Sequence, residues 1–168
     1  MNLLQNKQIS ISNSGQWSIE KSIYNGTVCL SKEDNFLIHD HSTYIYPYCD
    51  SILNLNPSSV LILGLGLSLL PNYYVTYSDV VDVIEKDIDL INLITGNSFN
   101  ETSINIINDD AFTYTTDKTY DLIISDIHWF IDGNYTNEIS LLRDKYNLNL
   151  NDGGKIFFYL TKELFDKY

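Results

Sequence analysis

Several short stretches of this chain carry residue types that could do chemistry together. Gly64-Leu65-Gly66-Leu67-Ser68 follows an apolar run, and its two residues without a Cβ let the backbone turn tightly and approach a ligand before a helix begins. Glu85 ends a second apolar run 21 residues after Gly64. That is close to the spacing of about 20 residues at which an acid accepts from a ribose hydroxyl pair in nucleotide-binding α/β units. In Asn108-Asp109-Asp110-Ala111-Phe112 a carboxylate could accept from an exocyclic amine while Phe112 lies against an aromatic ring, although an Asp there could equally cap a short helix. Asp126 closes the run that starts at Tyr120, and Ile127-His128-Trp129-Phe130 brings a base and aromatic surface beside it. Asp121 stands at the opposite end of the same run, a structural place.

Other candidates point away from chemistry. His39 and His41 flank Asp40, but no third or fourth ligand stands at a matching spacing, so no metal site is expected. Tyr44, Tyr46 and Tyr48 alternate and would share one face of an extended segment, as packing residues do. Cys29 and Cys49 form no CxxC pattern and read as buried thiols.

The elements that must position the chemical residues follow from apolar periodicity. From Val60 onward, β-type runs at Val60 to Leu63, Val80 to Ile84, Ile104 to Ile107, Leu122 to Ile124 and Lys155 to Leu160 alternate with helical segments. That alternation predicts repeated βα units around a mostly parallel sheet covered on both faces. Ser68 is expected to cap one helix with Pro71 in its first turn, and Gly96 to end the next. Asn137 to Leu148 should form a third, with apolar Ile139, Leu141, Leu142, Tyr146 and Leu148. Asp152-Gly153-Gly154 should turn the chain into the last strand. Ahead of this unit, runs at Gln8 to Asn13, Trp17 to Tyr24, Thr27 to Ser31 and Phe36 to His39, with turn signals at Ser14-Gly15 and Asn25-Gly26, predict β-hairpins. The expected organisation is one domain over 1–168: a hairpin extension over 1–50 and a Rossmann-like core of about five strands over 57–168.

Composition narrows the partners. The 168 residues suit one domain, and 44% hydrophobic content excludes disorder. No apolar run reaches the roughly 20 residues of a membrane span, and the N-terminus shows no signal or lipidation motif, so a cytoplasmic location is expected. Ten Lys and Arg against 22 Asp and Glu give a net charge of −12, which repels phosphate backbones and anionic lipid. Neither nucleic acid nor membrane is expected as a partner; a small neutral or cationic molecule is.

In order, Pro57-Ser-Ser-Val60-Leu-Ile-Leu-Gly64-Leu-Gly66, Val83-Ile-Glu85-Lys-Asp87, Asp109-Asp110-Ala111, Tyr120-Asp-Leu-Ile-Ile-Ser-Asp126 and Leu150-Asn-Asp-Gly-Gly154-Lys-Ile resemble the motifs of class I S-adenosylmethionine-dependent methyltransferase folds. The closest likeness is to the spermidine synthase-like (polyamine aminopropyltransferase) branch, which also sets a small β-hairpin region before the first core strand. The resemblance implies S-adenosylmethionine or its decarboxylated form as co-substrate. It implies Gly64 and Gly66 at the amino-acid end and ribose, Glu85 on the ribose hydroxyls, and Asp110 with Ala111 at adenine. Asp126 matches the first acid of that branch's Asp-x-x-Asp loop and would orient or deprotonate an attacking amine, with His128 beside it.

The likeness is incomplete. The second acid of that loop is Trp129 here, the branch's Gly-Gly-Gly-Asp-Gly loop is reduced to Gly64-Leu-Gly66-Leu-Ser68, and its Tyr-His-Glu segment has no clean match. The sequence runs about eight residues past the expected fifth strand, so the family's sixth and seventh strands are not expected here. The uncovered sheet edge leads us to expect a homo-oligomer. The leading expectation is a spermidine synthase-like transferase acting on a small amine. Alternatives are a small-molecule methyltransferase, an S-adenosylmethionine-degrading enzyme and a non-catalytic nucleotide-binding module. An NAD-dependent oxidoreductase shares the glycine–acid pair, but Leu69 replaces the third glycine of its fingerprint.

Overall fold

The computed structural model describes residues 8–22, 27–33, 35–39, 52, 55–97, 99, 101–127 and 135–158. Five strands, β5 (Ser59–Leu63), β6 (Val80–Glu85), β7 (Asn105–Asn108), β8 (Tyr120–Ser125) and β9 (Leu150–Phe158), form one sheet of order β7-β6-β5-β8-β9. Every neighbouring pair in it runs parallel. β5 is buried from Val60 to Leu63, as a central strand covered on both faces must be. Among the described residues, three α-helices connect the strands of this sheet: α1 (Leu69–Tyr74), α2 (Ile88–Gly96) and α3 (Tyr135–Tyr146).

Side chains alternate between two cores. Val60, Ile62, Val81, Val83, Leu122 and Ile124 face one layer, while Leu61, Leu63, Ile84, Tyr120 and Ile123 face the other with Leu142 and Tyr146 of α3. Ahead of the parallel sheet, β1 (Gln8–Ser14), β2 (Trp17–Ser22), β3 (Val28–Lys32) and β4 (Asn35–His39) form an antiparallel meander. Trp17, Ile19 and Leu30 of this meander pack in the same apolar cluster as Val60, Val83, Leu90 and Leu93. Cys29 is buried in β3. The Asn25-Gly26 turn, Asp40, His41, the Tyr44, Tyr46 and Tyr48 stripe, and Cys49 lie outside the described residues. No helix among the described residues is long and apolar enough to cross a membrane.

Three local expectations are corrected. Ser68 does not cap α1 with its side chain: it takes the left-handed conformation, φ 60°, and makes no cap hydrogen bond. The helix cap that does form is Asp87, whose carboxylate accepts from the Asp89 amide at the start of α2. Asp152-Gly153-Gly154 does not precede the last strand but lies within it. β9 begins at Leu150 and shifts register between its pairings with Tyr120 and Leu122, with Gly153 at φ 79°. Finally, the third helix ends at Tyr146 rather than Leu148: Leu148, 85% exposed, lies in the 3-10 turn that follows, and Leu141, 63% exposed, lies off the buried stripe of Ile139, Leu142 and Tyr146.

Two acids of this covered sheet are paired within the fold. Asp82, in the middle of β6, accepts from Lys118 Nζ at 2.8 Å, Tyr120 Oη at 2.7 Å and Asn105 Nδ2 at 2.8 Å. Asp121 takes the structural place expected of it: Oδ2 accepts from the amides of Ser58 and Ser59, and Oδ1 from Asn151 Nδ2, joining β5, β8 and β9 at the end away from the glycine loop.

For Asp82, burial pushes the carboxyl up, but the Lys118, Tyr120 and Asn105 hydrogen bonds and the Lys118 charge outweigh it and hold it below 3.8. Asp121 is also lowered, first by Asn151, against a smaller burial effect, and then by the Ser58 and Ser59 contacts. A carboxyl depressed in the fold stabilises it above the ordinary 3.8, and that contribution disappears as pH falls through the lowered value. Acid unfolding should therefore steepen below pH 3.8, and Asp82→Asn should flatten that limb in denaturant titrations. At pH 7 the same substitution should cost about 3 kcal/mol, because Lys118 and Tyr120 lose their charged acceptor.

Candidate functional site

β5 and β8 are neighbours in the sheet, yet the chain leaves β5 towards β6 and β7 on one side and later extends from β8 towards β9 on the other. That reversal opens a crevice beyond the carboxyl ends of β5 and β8, where open α/β sheets bind ligands. Gly64 and Asp126 are the first residues past those two strands. The Asp126 amide donates to the Leu63 carbonyl at 2.8 Å, and the Gly64 amide to the Ile84 carbonyl at 2.8 Å, so both continue the ladder into the crevice.

Gly64 earns its glycine in a way its motif does not show. Its φ is 101°, and a Cβ there would lie 2.9 Å from the Asp126 carbonyl oxygen and 2.9 Å from Ile127 Cγ2. The missing side chain lets the β8 exit close over the loop. Gly66 has φ 50° and Ser68 φ 60°, so the loop winds through left-handed positions before α1. The amides of Gly66 and Leu67 have no hydrogen-bond partner among the described residues. Two buried hydroxyls at this end of the sheet, Ser68 Oγ and Ser125 Oγ, also lack one.

Glu85 ends β6 next to that loop. Its Oε2 accepts from the Leu65 amide at 3.1 Å and its Oε1 from the Asp87 amide at 2.8 Å. Each carboxylate oxygen retains acceptor capacity beyond the one bond it makes. Asn108, at the end of β7, donates its side-chain amide to the carbonyls of Glu85 and Lys86, which ties the two strand ends together.

Asp110 caps no helix, since none follows it: its Oδ1 accepts from the Phe112 amide at 2.9 Å in a tight turn, which leaves Oδ2 outside that turn. Ala111 is buried, and its carbonyl accepts from Tyr146 Oη at 2.7 Å, while Lys145 Nζ donates to the Phe112 carbonyl at 2.7 Å. The last turn of α3 therefore fixes this segment. Phe112 is 39% exposed.

Asp126 keeps some surface as a residue, but its Oδ1 is fully buried, and desolvation pushes its carboxyl up to about 8. The structure thus brings Gly64, Gly66 and Asp126 to one end of the central strands, with Glu85, Asp110 and Ala111 at the ends of the adjacent ones. His128 lies outside the described residues. Ser125 and Trp17 were not singled out by spacing. The first is hidden in an apolar run, and the second acts across strands distant in sequence: its Nε1 donates to Asp87 Oδ2 at 2.7 Å.

No protein-family model matches this chain, and no curated protein does. Solved structures do. The N-methyltransferase NodS from Bradyrhizobium japonicum WM9 is 15% identical with a TM-score of 0.53, over 67% of this chain and 63% of that one. DhpI, in complex with SAH, is 17% identical with a TM-score of 0.53, over 73% and 63%. SAM-bound CalS10, an amino pentose methyltransferase from Micromonospora echinaspora, is 15% identical with a TM-score of 0.53, over 67% and 47%. The chain spans less than two thirds of the length of each. At these identities the likeness is one of fold, and the five-stranded parallel sheet with its helices and N-terminal antiparallel sheet is a Rossmann-like methyltransferase fold.

Proposed function

We propose that the chain binds S-adenosylmethionine in the crevice beyond β5 and β8 and transfers a methyl group from its sulfonium to a small amine. The observation that carries this reading is the cluster of unused polar groups there: the Gly66 and Leu67 amides and the buried Ser68 and Ser125 hydroxyls. Buried polar atoms are normally satisfied, so a place where several are not fits a ligand with matching groups. Solved neighbours of the same fold add support. Among them are an N-methyltransferase and an amino pentose methyltransferase, one of the two with SAM bound.

In this reading Glu85 accepts from the ribose hydroxyls with the lone pairs left over from Leu65 and Asp87. Asp110 Oδ2 accepts from the adenine amine, and buried Ala111 leaves room for the ring. Gly64 and Gly66 let the loop backbone run against the nucleoside. The co-substrate supplies an activated sulfonium carbon, so the chain's task is chiefly to align the acceptor and manage one proton. Asp126 does the latter: burial raises its carboxyl to about 8, so it is mostly protonated at pH 7, and its ionised form, which grows as pH rises towards 8, accepts the proton that an ammonium acceptor gives up on methylation. Decarboxylated S-adenosylmethionine in the same crevice would make the reaction an aminopropyl transfer, the reading to which the likeness of Tyr120 to Asp126 points.

Titration calorimetry should show S-adenosylmethionine and S-adenosylhomocysteine binding, with Glu85→Ala weakening both by about 1.5–3 kcal/mol. Absence of heat with these two and with methylthioadenosine would overturn the proposal. Incubation with both co-substrates and a set of small amines, followed by mass spectrometry, should yield S-adenosylhomocysteine and a methylated amine. Methylthioadenosine with a lengthened amine would mean aminopropyl transfer, and co-substrate loss without an amine product would mean breakdown.

The Asp126 carboxyl gives a separate check. Its folded value, about 8, lies above the ordinary 3.8, so its contribution to stability is full below 3.8 and is lost as pH rises through 8. Urea midpoints of the wild type should fall between pH 6 and pH 9 relative to those of Asp126→Asn; parallel curves would remove the raised acid from the mechanism.

A further inference from the structure

A run of hydrogen bonds leads from the N-terminal sheet to the glycine loop. Trp17 Nε1 donates to Asp87 Oδ2 at 2.7 Å. Lys32 Nζ approaches the same oxygen at 3.3 Å and lies 4.8 Å from the centroid of the Trp17 ring, across the β2–β3 pair in which Trp17 opposes Lys32. Asp87 Oδ1 accepts from the Asp89 amide. With both carboxylate oxygens held, the Asp87 backbone is fixed in an extended conformation, φ −90° and ψ 103°, and its amide donates to Glu85 Oε1. Glu85 Oε2 in turn accepts from the Leu65 amide, inside the loop that Gly64 opens.

We infer that Trp17 is a positioning residue for the nucleoside site: its indole N–H, acting through Asp87, holds Glu85 and the Gly64–Gly66 loop in their binding arrangement. The inference rests on the proposed reading of Glu85 as ribose acceptor and adds a residue from outside the parallel sheet. Two features make the link stiff. Trp17 is buried in the main apolar cluster, so its donor comes from a packed ring. The turn beside it also sits hard against α2, for a Cβ on Gly15 would collide with the Asp89 carboxylate, and Gly15 has φ 55°. An acceptor held by a packed neighbour does not have to be ordered when ligand arrives, which is where such an arrangement strengthens binding.

The test compares amide hydrogen exchange at Leu65, read by NMR on the ligand-free protein, with the affinity for S-adenosylhomocysteine. Trp17→Phe keeps an aromatic ring and removes the N–H. It should lower Leu65 protection and weaken binding, each roughly threefold to tenfold. Asp87→Ala should do the same, and the Trp17→Phe/Asp87→Ala pair should lose no more than the larger single effect. Asp87→Asn, which keeps an acceptor for the indole and a cap for Asp89, should retain Leu65 protection. Ser14→Ala removes the 3.4 Å hydrogen bond from the same hairpin to Asp89 and should leave both readouts unchanged.

A Trp17→Phe protein with a lower unfolding midpoint but wild-type Leu65 exchange would overturn the inference. So would equal losses in Asp87→Asn and Asp87→Ala, a comparison that needs no Trp17 variant to fold. If the wild type binds no nucleoside, the proposed function fails while Leu65 exchange still reports on the link. If it binds and Leu65 is indifferent to Trp17→Phe, the link alone fails.

Discussion

The Glu85 carboxylate sits where three parts of the molecule meet, and each depends on its two oxygens. One oxygen holds the Leu65 amide of the loop that leaves β5. The other holds the Asp87 amide, which starts α2 and, through the Asp87 side chain, receives Trp17 and Lys32 from the antiparallel sheet. A carboxylate accepting from backbone amides is a short, charge-assisted contact, stronger than a neutral pair. Replacing it with an apolar residue would leave two amides to find water at a junction packed beside Trp17 and Leu65, both buried. The loop, the helix start and the sheet docking are therefore one arrangement.

Away from that junction the fold pairs its polar atoms closely. Among the described residues the three largest fully buried side chains are tyrosines, and each hydroxyl donates to a fixed acceptor: Tyr74 to the Ile52 carbonyl, Tyr120 to Asp82 and Tyr146 to the Ala111 carbonyl. Burying such rings contributes a large apolar area, and the hydroxyl adds direction. Tyr146 does more than fill space, because it fixes the carbonyl of Ala111 beside the Asp110 turn. Against this background, unmatched Ser68 and Ser125 hydroxyls at the crevice are conspicuous, as a buried hydroxyl without a partner costs free energy.

Much of this was legible in the sequence where a local rule applies. The five strands follow from apolar runs, since covered parallel strands need apolar residues on both faces; only the last begins well ahead of its apolar run, at Leu150, because its first residues are polar and glycine. Gly64 and Glu85 stand out by type and spacing, and the structure sets them at the ends of the neighbouring strands β5 and β6. What escaped depends on contacts between distant residues. Nothing local distinguishes Trp17 from any other aromatic residue on a strand; its role comes from a partner 70 positions away. Asp82 interrupts an apolar strand and looks misplaced until Tyr120, Lys118 and Asn105 surround it. Ser68 has the composition of a helix cap, but the preceding glycines wind the backbone so that it enters α1 from the left-handed region. Leu141 and Leu148 match a helical apolar pattern, yet Leu141 lies off the buried stripe and Leu148 falls in the turn after the helix ends.

The acids illustrate how one excess of negative charge divides into different chemical species. Asp82 and Asp87 are both pushed up by burial, yet both end below the ordinary value, because lysine and hydrogen-bond donors surround each of them. Asp121, on the far side of the sheet, is lowered by amide donors. Asp126 meets the same desolvation with burial as the cause that governs it, and it is the acid at the exit of β8, where the crevice opens. A structural carboxylate is best kept ionised and occupied, whereas one that must exchange a proton with a cationic partner works best near neutrality. The environments around these four residues differ accordingly: the lowered acids bind strands, loops and sheets together, whereas Asp126, raised by burial, follows β8 at the same end of the sheet where Gly64 follows β5.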